Sequence, residues 1–141
     1  MHKLEILQEW YNRVWLNGDY GAIAEFFTAE SRPEGIMQGL ALMPEDFAEL
    51  IPAIMARVME PSFEVLRFIE AGDWIWVLMV LRARGRADGH PIEVTGQLAV
   101  RFEGDLIAEA YNHYDFIAFF EQLGALPENT MALCLSGEAL R

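Results

Sequence analysis

Four side chains that could perform acid/base chemistry follow one another at every second position near residue 110. Strand alternation over residues 106–114 places Glu109, Tyr111 and His113 on one face, and Asp115 follows in the same phase. A carboxylate in a dry pocket becomes a stronger base, which suits it to abstract a proton next to a carbonyl. A neighbouring His or Tyr could then stabilise the enolate oxygen. If this face is concave, the pattern predicts proton transfer by Asp115 with help from His113 and Tyr111.

Each of these side chains also has a structural interpretation. Asp115 stands where strand spacing changes to helical spacing, so it could cap the helix predicted over residues 116–123. Glu109 could pair with an arginine across the sheet, His113 could be a hydrogen-bonded structural histidine, and Tyr111 could form a wall without bonding a ligand. The two interpretations of Asp115 are compatible with each other.

Three helices are predicted ahead of this cluster. Apolar residues at three- and four-residue spacings predict an amphipathic helix over residues 3–17, and a shorter helix follows over 20–28. A third helix is expected to start at Pro44, a favoured first helical position, and Pro52 should bend or interrupt it. Between the second and third helices we predict only one short strand, at residues 36–38.

From residue 62 onward the apolar period changes to two. Strands are predicted over four ranges, joined by short glycine-containing turns: 63–70, 74–86, 92–103 and 106–114. Such turns favour hairpins, so the sheet is expected to be an antiparallel meander. We therefore predict an α+β fold in which three N-terminal helices pack on a curved, mainly antiparallel sheet, followed by a short C-terminal helix.

A curved sheet wrapped over helices leaves a cone-shaped pocket, for which we predict a small hydrophobic or polycyclic ligand. The expected ligand-contacting residues, besides the proton-transfer pair, are Glu109, Tyr111, Tyr11, Trp15, Ile51 and Met55. Residues 74–81 are apolar on both faces of their strand, which implies a cover on each face. Helices would cover one face and a second subunit the other, so we expect a homodimer.

Composition restricts the classes of partner. The 141 residues suit one domain, 1–141, with a weakly patterned tail at 125–141. Twenty-two acids against ten bases give a net charge of −12, which repels nucleic-acid phosphates and anionic membrane surfaces. The N-terminal residues lack the apolar core of a secretory signal, so the cytoplasm is the expected location.

Metal and cofactor sites are not predicted. The three histidines, His2, His90 and His113, show no ligand spacing, and Cys134 is the single cysteine. Phosphate-binding glycine loops and a nucleophile elbow are likewise missing from the sequence. We expect cofactor-independent chemistry.

Several short motifs occur in a characteristic order. They are N-G-D-Y-G-A-I-A-E-F-F at 17–27, Q-G at 38–39, T-G at 95–96, F-E-G-D-L-I at 102–107, and Y-N-x-x-D at 111–115 with Q-L-G at 122–124. Through these motifs and their order along the sequence, the chain resembles the SnoaL-like polyketide cyclases of the NTF2-like superfamily.

The resemblance implies a role for one carboxylate. In that family an aspartate at the end of the last long strand acts as acid/base in ring closure by intramolecular aldol condensation, and the matching position is Asp115. The usual tryptophan four residues earlier is Tyr111 here. The superfamily also contains isomerases, dehydratases and non-catalytic domains, so a ligand-binding module and a structural dimerisation domain remain alternatives.

Overall fold

A four-stranded antiparallel sheet forms the frame of the computed structural model, which describes residues 2–36 and 42–140. The strands pair in chain order and are β1 Val58–Ala71, β2 Trp74–Gly85, β3 Pro91–Glu103 and β4 Leu106–Tyr114. Two-residue turns at Gly72-Asp73 and Gly104-Asp105 join β1 to β2 and β3 to β4, with both glycines at positive φ. The predicted antiparallel meander is confirmed.

The helices precede and follow the sheet. They are α1 Lys3–Trp10, a π-helical continuation Tyr11–Leu16, 3₁₀ helices Tyr20–Phe26 and Pro44–Asp46, α2 Phe47–Met55, α3 Phe116–Gln122 and α4 Thr130–Leu135. The helical segment predicted to start at Pro44 is confirmed, and Pro52 lies inside α2, which ends three residues later. The single predicted first helix is wrong in detail, because its second half is wound as a wider π-helix.

The predicted start of the first strand is wrong, and the strand predicted before the third helix cannot be compared with the described residues. Strand β1 begins at Val58 instead of residue 63, and Pro61 lies inside it. The register of β1 against β2 shifts between Met59 and Ser62, and such an irregularity in an edge strand tolerates a residue without a backbone donor. The strand predicted at 36–38 and the Q-G motif at 38–39 extend outside the described residues.

The main core lies between the helices and the inner face of the sheet. Val14 and Ile51 from the helices and Val77 and Val100 from the sheet are at most 1% exposed. Fully burying each such side chain contributes about 1.5–3 kcal/mol. A second cluster joins the sheet to α3 through Val58, Ile92, Val94 and Phe119. The α+β class and the helix-on-sheet arrangement are confirmed.

The free edge of β4 is covered by the segment that follows the second helix. Phe27 and Glu34 form parallel bridges to Ile107 and Tyr111. The amide of Asn112 donates to the Glu34 carbonyl at 2.8 Å. Gly35 has φ +95°, and a Cβ there would overlap the carbonyl of Asn112. This close approach fixes the position of β4, the strand that contributes most to the candidate site.

The C-terminal segment adds a short helix that the sequence pattern did not predict. Helix α3 ends with Gly124 at φ +80°, the predicted cap. Beyond it, the Thr130 amide at the start of α4 donates to the Glu121 carboxylate at 2.9 Å, which docks the tail on α3. Within 2–36 and 42–140, no helix has the length and apolar character needed to cross a lipid bilayer.

Candidate functional site: an aromatic cone

Small cavities lie between the helices and the inner face of the sheet, in a space that we call the cone, and among them are an inner cavity and a larger cleft. The inner cavity has a volume of about 30 Å³. Its lining residues, all buried or half-buried, are Trp15, Ile54, Phe63, Met79, Leu81, Val94, Gly96, Tyr114, Phe116 and Phe119. Apart from the tyrosine hydroxyl and the indole nitrogen, these side chains expose only carbon or sulfur, so the cavity suits an apolar occupant.

The second cavity, which we call the cleft, is larger and reaches solvent. Its volume is about 180 Å³, and its lining residues are Leu7, Gln8, Tyr11, Asn12, Phe63, Val65, Val77, Met79 and Leu98. Gln8 and Asn12 are exposed and form its rim. A protein cavity on the order of 150 Å³ holds benzene, so the cleft as it stands accommodates a molecule with one ring.

A hydrogen bond between two phenols links the walls of the two cavities. The hydroxyls of Tyr11, on the π-helical segment, and Tyr114, at the end of β4, bond to each other inside the protein. Tyr11 lines the cleft and Tyr114 lines the inner cavity. Burial is the largest cause that raises the pKa of both phenols above the ordinary value, so both are neutral and able to donate a hydrogen bond.

Gly96 makes room for this arrangement. It is the cross-strand partner of Tyr114, and a Cβ built on Gly96 would overlap atoms Cδ1 and Cε1 of the Tyr114 ring. The ring therefore lies against the bare backbone of β3, with its hydroxyl within reach of Tyr11. The T-G motif at 95–96 thus has a structural explanation in the cone.

Trp15 adds a further polar atom to the cone. Its side chain is 5% exposed and lines the inner cavity. Its Nε1 has no hydrogen-bond partner among the described residues. A buried donor without an acceptor costs about 1–3 kcal/mol, which an acceptor on a bound molecule would recover.

The predicted ligand contacts from the helices divide into two groups. Tyr11 and Trp15 lie in the cavity walls as expected. Ile51 is fully buried in the main core and Met55 is half-buried between the two clusters, and neither lines the inner cavity or the cleft. Ile54 lines the inner cavity instead.

The predicted cluster on β4 lies on the outer face of the sheet, so the condition that this face be concave is not met. Tyr111 is 37% exposed, His113 is exposed and Glu109 is half-exposed, whereas Ala110 and Asn112 point inward and are buried. Side chains along a strand point alternately to the two faces of the sheet. In a sheet that helices cover on one face only, the more polar side chains point to the face that is open to solvent. These three side chains are therefore separated from the cone by the sheet itself.

Glu109 forms a surface network instead. Its carboxylate accepts hydrogen bonds from Arg101 Nε at 2.9 Å and from the Tyr111 hydroxyl at 3.0 Å. The bond from Arg101, followed by that from Tyr111, lowers the pKa of Glu109 below its ordinary value, and the bond to Glu109 raises the pKa of Tyr111. The alternative prediction of an arginine partner for Glu109 is confirmed.

Asp115 caps α3. Its Oδ1 accepts a hydrogen bond from the amide of Ala118 at 3.0 Å, and the side chain is exposed. The residues on either side of it in the chain, Tyr114 and Phe116, both line the inner cavity. The capping prediction is confirmed, and an acid/base role stays a prediction for a carboxylate at the margin of the cavity.

Sequence reasoning missed Tyr114 and Gly96. The available signal was the pairing of a glycine with an aromatic residue in adjacent predicted strands, but it depends on knowing the register. Among the residues that the structure describes, no three His, Cys, Asp or Glu side chains come close enough to hold a metal ion.

Solved structures with the same fold include proteins proposed to be polyketide cyclases. The one from Acidithiobacillus ferrooxidans is 18% identical, with a TM-score of 0.71 over 86% of this chain and 93% of its own. IdmH from Streptomyces antibioticus is 17% identical, with a TM-score of 0.74 over 88% and 99%. A Catenulispora acidiphila protein of ketosteroid isomerase-like fold, solved with trimethylamine, is 18% identical, with a TM-score of 0.71 over 87% and 95%.

At these identities the structural similarity establishes the fold alone. No curated protein matches the sequence significantly. The profile of the SnoaL-like domain, however, matches residues 7–110, which is most of the chain. The match runs from within α1 to within β4 and ends before Tyr114, α3 and α4. The resemblance inferred from the order of the motifs is confirmed: the chain belongs to the SnoaL-like domain family.

Proposed function

We propose that the protein binds a small, mainly apolar molecule in the cone. The observation that carries this proposal is the composition of the walls: aromatic and aliphatic side chains surround both cavities, and the cleft opens to solvent between Gln8 and Asn12. No carboxylate, imidazole or ammonium group is among the residues that line them. Binding in such a space is favoured by burial of apolar surface.

Thermal unfolding in the presence of one-ring probes tests this proposal. Ethylbenzene and acetophenone at 100 times their dissociation constants should add about 2.7 kcal/mol to the free energy of unfolding. Val65→Trp places a large ring in the cleft wall and should abolish the stabilisation. Leu66→Trp is the matched control, since Leu66 is equally half-buried but lines neither cavity. Stabilisation by neither probe would contradict the proposal.

Acid/base catalysis of the polyketide cyclase type is the second candidate. It is supported by family membership and by the position of Asp115 between two residues that line the inner cavity. Aldol-type ring closure and related isomerase or dehydratase chemistry all begin with proton removal next to a carbonyl. Exchange of the α-protons of acetophenone in D₂O, followed by NMR, measures this step without the natural substrate.

We further propose that a second copy of the chain covers the outer face of the sheet. A row of side chains crosses all four strands in register there: Ile69, Trp76, Ala99 and Tyr111. Ile69, on the edge strand β1 at one end of the row, is 63% exposed, so a large apolar side chain faces solvent there.

Ion pairs on this face lower its repulsion for another copy of a chain whose net charge is −12. Arg82 pairs with Glu64 and Glu93 on one side of the row, and Arg101 pairs with Glu103 and Glu109 on the other side. The two arginines thus offset two of these four carboxylate charges. Two such faces repel each other less than any strongly acidic surfaces would.

A further inference from the structure

We infer that the Tyr11–Tyr114 hydroxyl pair recognises a ligand oxygen that only accepts hydrogen bonds, as in an aryl ketone, and that this oxygen takes the place of the bond between the two phenols. The inference rests on the proposed function, since it requires that the cone bind a small molecule. It adds the chemical class of that molecule and the groups that distinguish it from a hydrocarbon.

The two phenols carry more hydroxyl protons than their mutual hydrogen bond uses. Each phenol carries one hydroxyl proton, and their mutual bond uses one of the two. Neither hydroxyl has another hydrogen-bond partner among the described residues, so the second phenolic proton has no acceptor there. The Nε1 proton of Trp15 also has none in the part of the chain that the structure describes. The cone therefore holds two donors in want of an acceptor.

The rings of Trp15, Tyr11 and Tyr114 lie close together. The Trp15 ring centroid lies 5.8 Å from that of Tyr11 and 6.1 Å from that of Tyr114. The three rings thus form one cluster in the walls of the two cavities. A carbonyl oxygen has two lone pairs and can accept two hydrogen bonds, whereas an ammonium group would only add further donors. The cluster therefore favours ligands that carry a hydrogen-bond acceptor over ligands that carry only donors.

The state of the phenols agrees with this assignment. Burial raises the pKa of both Tyr11 and Tyr114, so neither becomes an anion that could attract a cationic ligand near neutral pH. Apart from Trp15, the remaining walls of the inner cavity are apolar and offer no other donor for a ligand oxygen. A ketone would therefore bind with its oxygen at the tyrosine pair and its ring in the cleft.

Separation of the Tyr11 and Tyr114 hydroxyls would also enlarge the volume that a ligand can occupy. Phe63 and Met79 line both the inner cavity and the cleft, so the two volumes adjoin at these side chains, and the centroid of the Tyr11 ring lies 4.7 Å from that of Phe63. A ligand that replaces the mutual bond would join the volumes of about 30 Å³ and 180 Å³. This would admit a body larger than a single ring.

A matched pair of probes tests the inference. Acetophenone and ethylbenzene have nearly the same shape and differ in the carbonyl oxygen. We expect calorimetry to show acetophenone binding about 10-fold more tightly, which corresponds to about one good hydrogen bond. The carbonyl stretch of ¹³C-labelled acetophenone should move to lower wavenumber on binding, a measurement that needs no variant.

Variants locate the effect. Tyr11→Phe combined with Tyr114→Phe should remove most of the preference for acetophenone and reverse the infrared shift, with ethylbenzene affinity little changed, whereas either single variant leaves one hydroxyl that can still donate to the ketone. Tyr20→Phe is the control, because Tyr20 is half-buried but lines neither cavity. Equal binding of the two probes without an infrared shift would overturn the inference and leave the proposed function standing. Binding of neither probe would overturn both.

Discussion

Gly96 and Tyr114 face each other across β3 and β4, and the ring of Tyr114 occupies the space that any side chain at position 96 would need. This relationship places a phenol inside the cone at the end of the last strand. Tyr11, Tyr114 and Trp15 bring polar atoms to the cone, while Glu109, the carboxylate of β4, faces outward.

The first prediction concerns this pair. Gly96→Ala should displace the Tyr114 ring and break its bond to Tyr11, lowering the free energy of unfolding by about 1–3 kcal/mol, the usual cost of overpacking. Urea unfolding measures the loss, and near-ultraviolet circular dichroism should report the changed environment of the ring.

A double-mutant cycle provides the control for Gly96. In a Tyr114→Leu background the added methyl group meets a smaller, more adaptable side chain, so the cost of Gly96→Ala should shrink by at least about 0.5 kcal/mol. Equal costs in both backgrounds would show that the ring is not what excludes a side chain at position 96.

The second prediction separates the two roles of Asp115. Asp115→Ala removes the cap of α3 and should cost about 1 kcal/mol, whereas Asp115→Asn and Asp115→Ser retain a capping oxygen and should keep nearly the full stability. If Asp115 also transfers protons, Asn and Ser should lower acetophenone α-proton exchange by about 100-fold or more. Unchanged exchange in both variants would leave capping as the role of Asp115.

The third prediction is a loss of stability in alkali. Tyr11 and Tyr114 have raised pKa values in the folded protein, so the folded state holds their protons more tightly than the unfolded state does. The resulting stabilisation is fully present below the unfolded pKa of about 10 and is lost as the pH rises through the higher folded values. Urea midpoints measured between pH 8 and pH 11 should therefore fall.

The matched variant for the alkaline effect is Tyr11→Phe combined with Tyr114→Phe. It lacks both phenolic protons, so its midpoint should fall less steeply above pH 10 than that of the wild type. Tyr20→Phe should follow the wild-type curve. The same slope in all three proteins would argue against preferential protonation of the buried pair.

The fourth prediction concerns the outer face. Trp76→Glu places a charge at the centre of the row that we propose to be covered by a second copy, and it should convert a dimer to a monomer in sedimentation experiments at micromolar concentration. Leu135→Glu is the control, since Leu135 is 81% exposed on α4, away from the sheet. A monomeric wild-type protein would contradict the proposed assembly.

Local patterns were sufficient for the fold and for several details. The change of period near residue 62, the glycine turns at 72 and 104 and the cap at Asp115 depend on interactions between residues close in the chain, and all three were predicted. Strand β1 and the π-helical segment were misjudged at their limits, because pairing across the sheet and packing against it decide where such elements begin or change winding.

The site was harder to predict because alternation shows which residues share a face of a strand, but not which face is covered. By itself the sequence determined the family, the α+β class and the grouping of Glu109, Tyr111 and His113 on one side of β4. Only the tertiary structure decided that this side faces outward. The reason is physical: the helices cover one face of the sheet, and burying Tyr114 against Gly96 costs far less than burying a carboxylate and an imidazole.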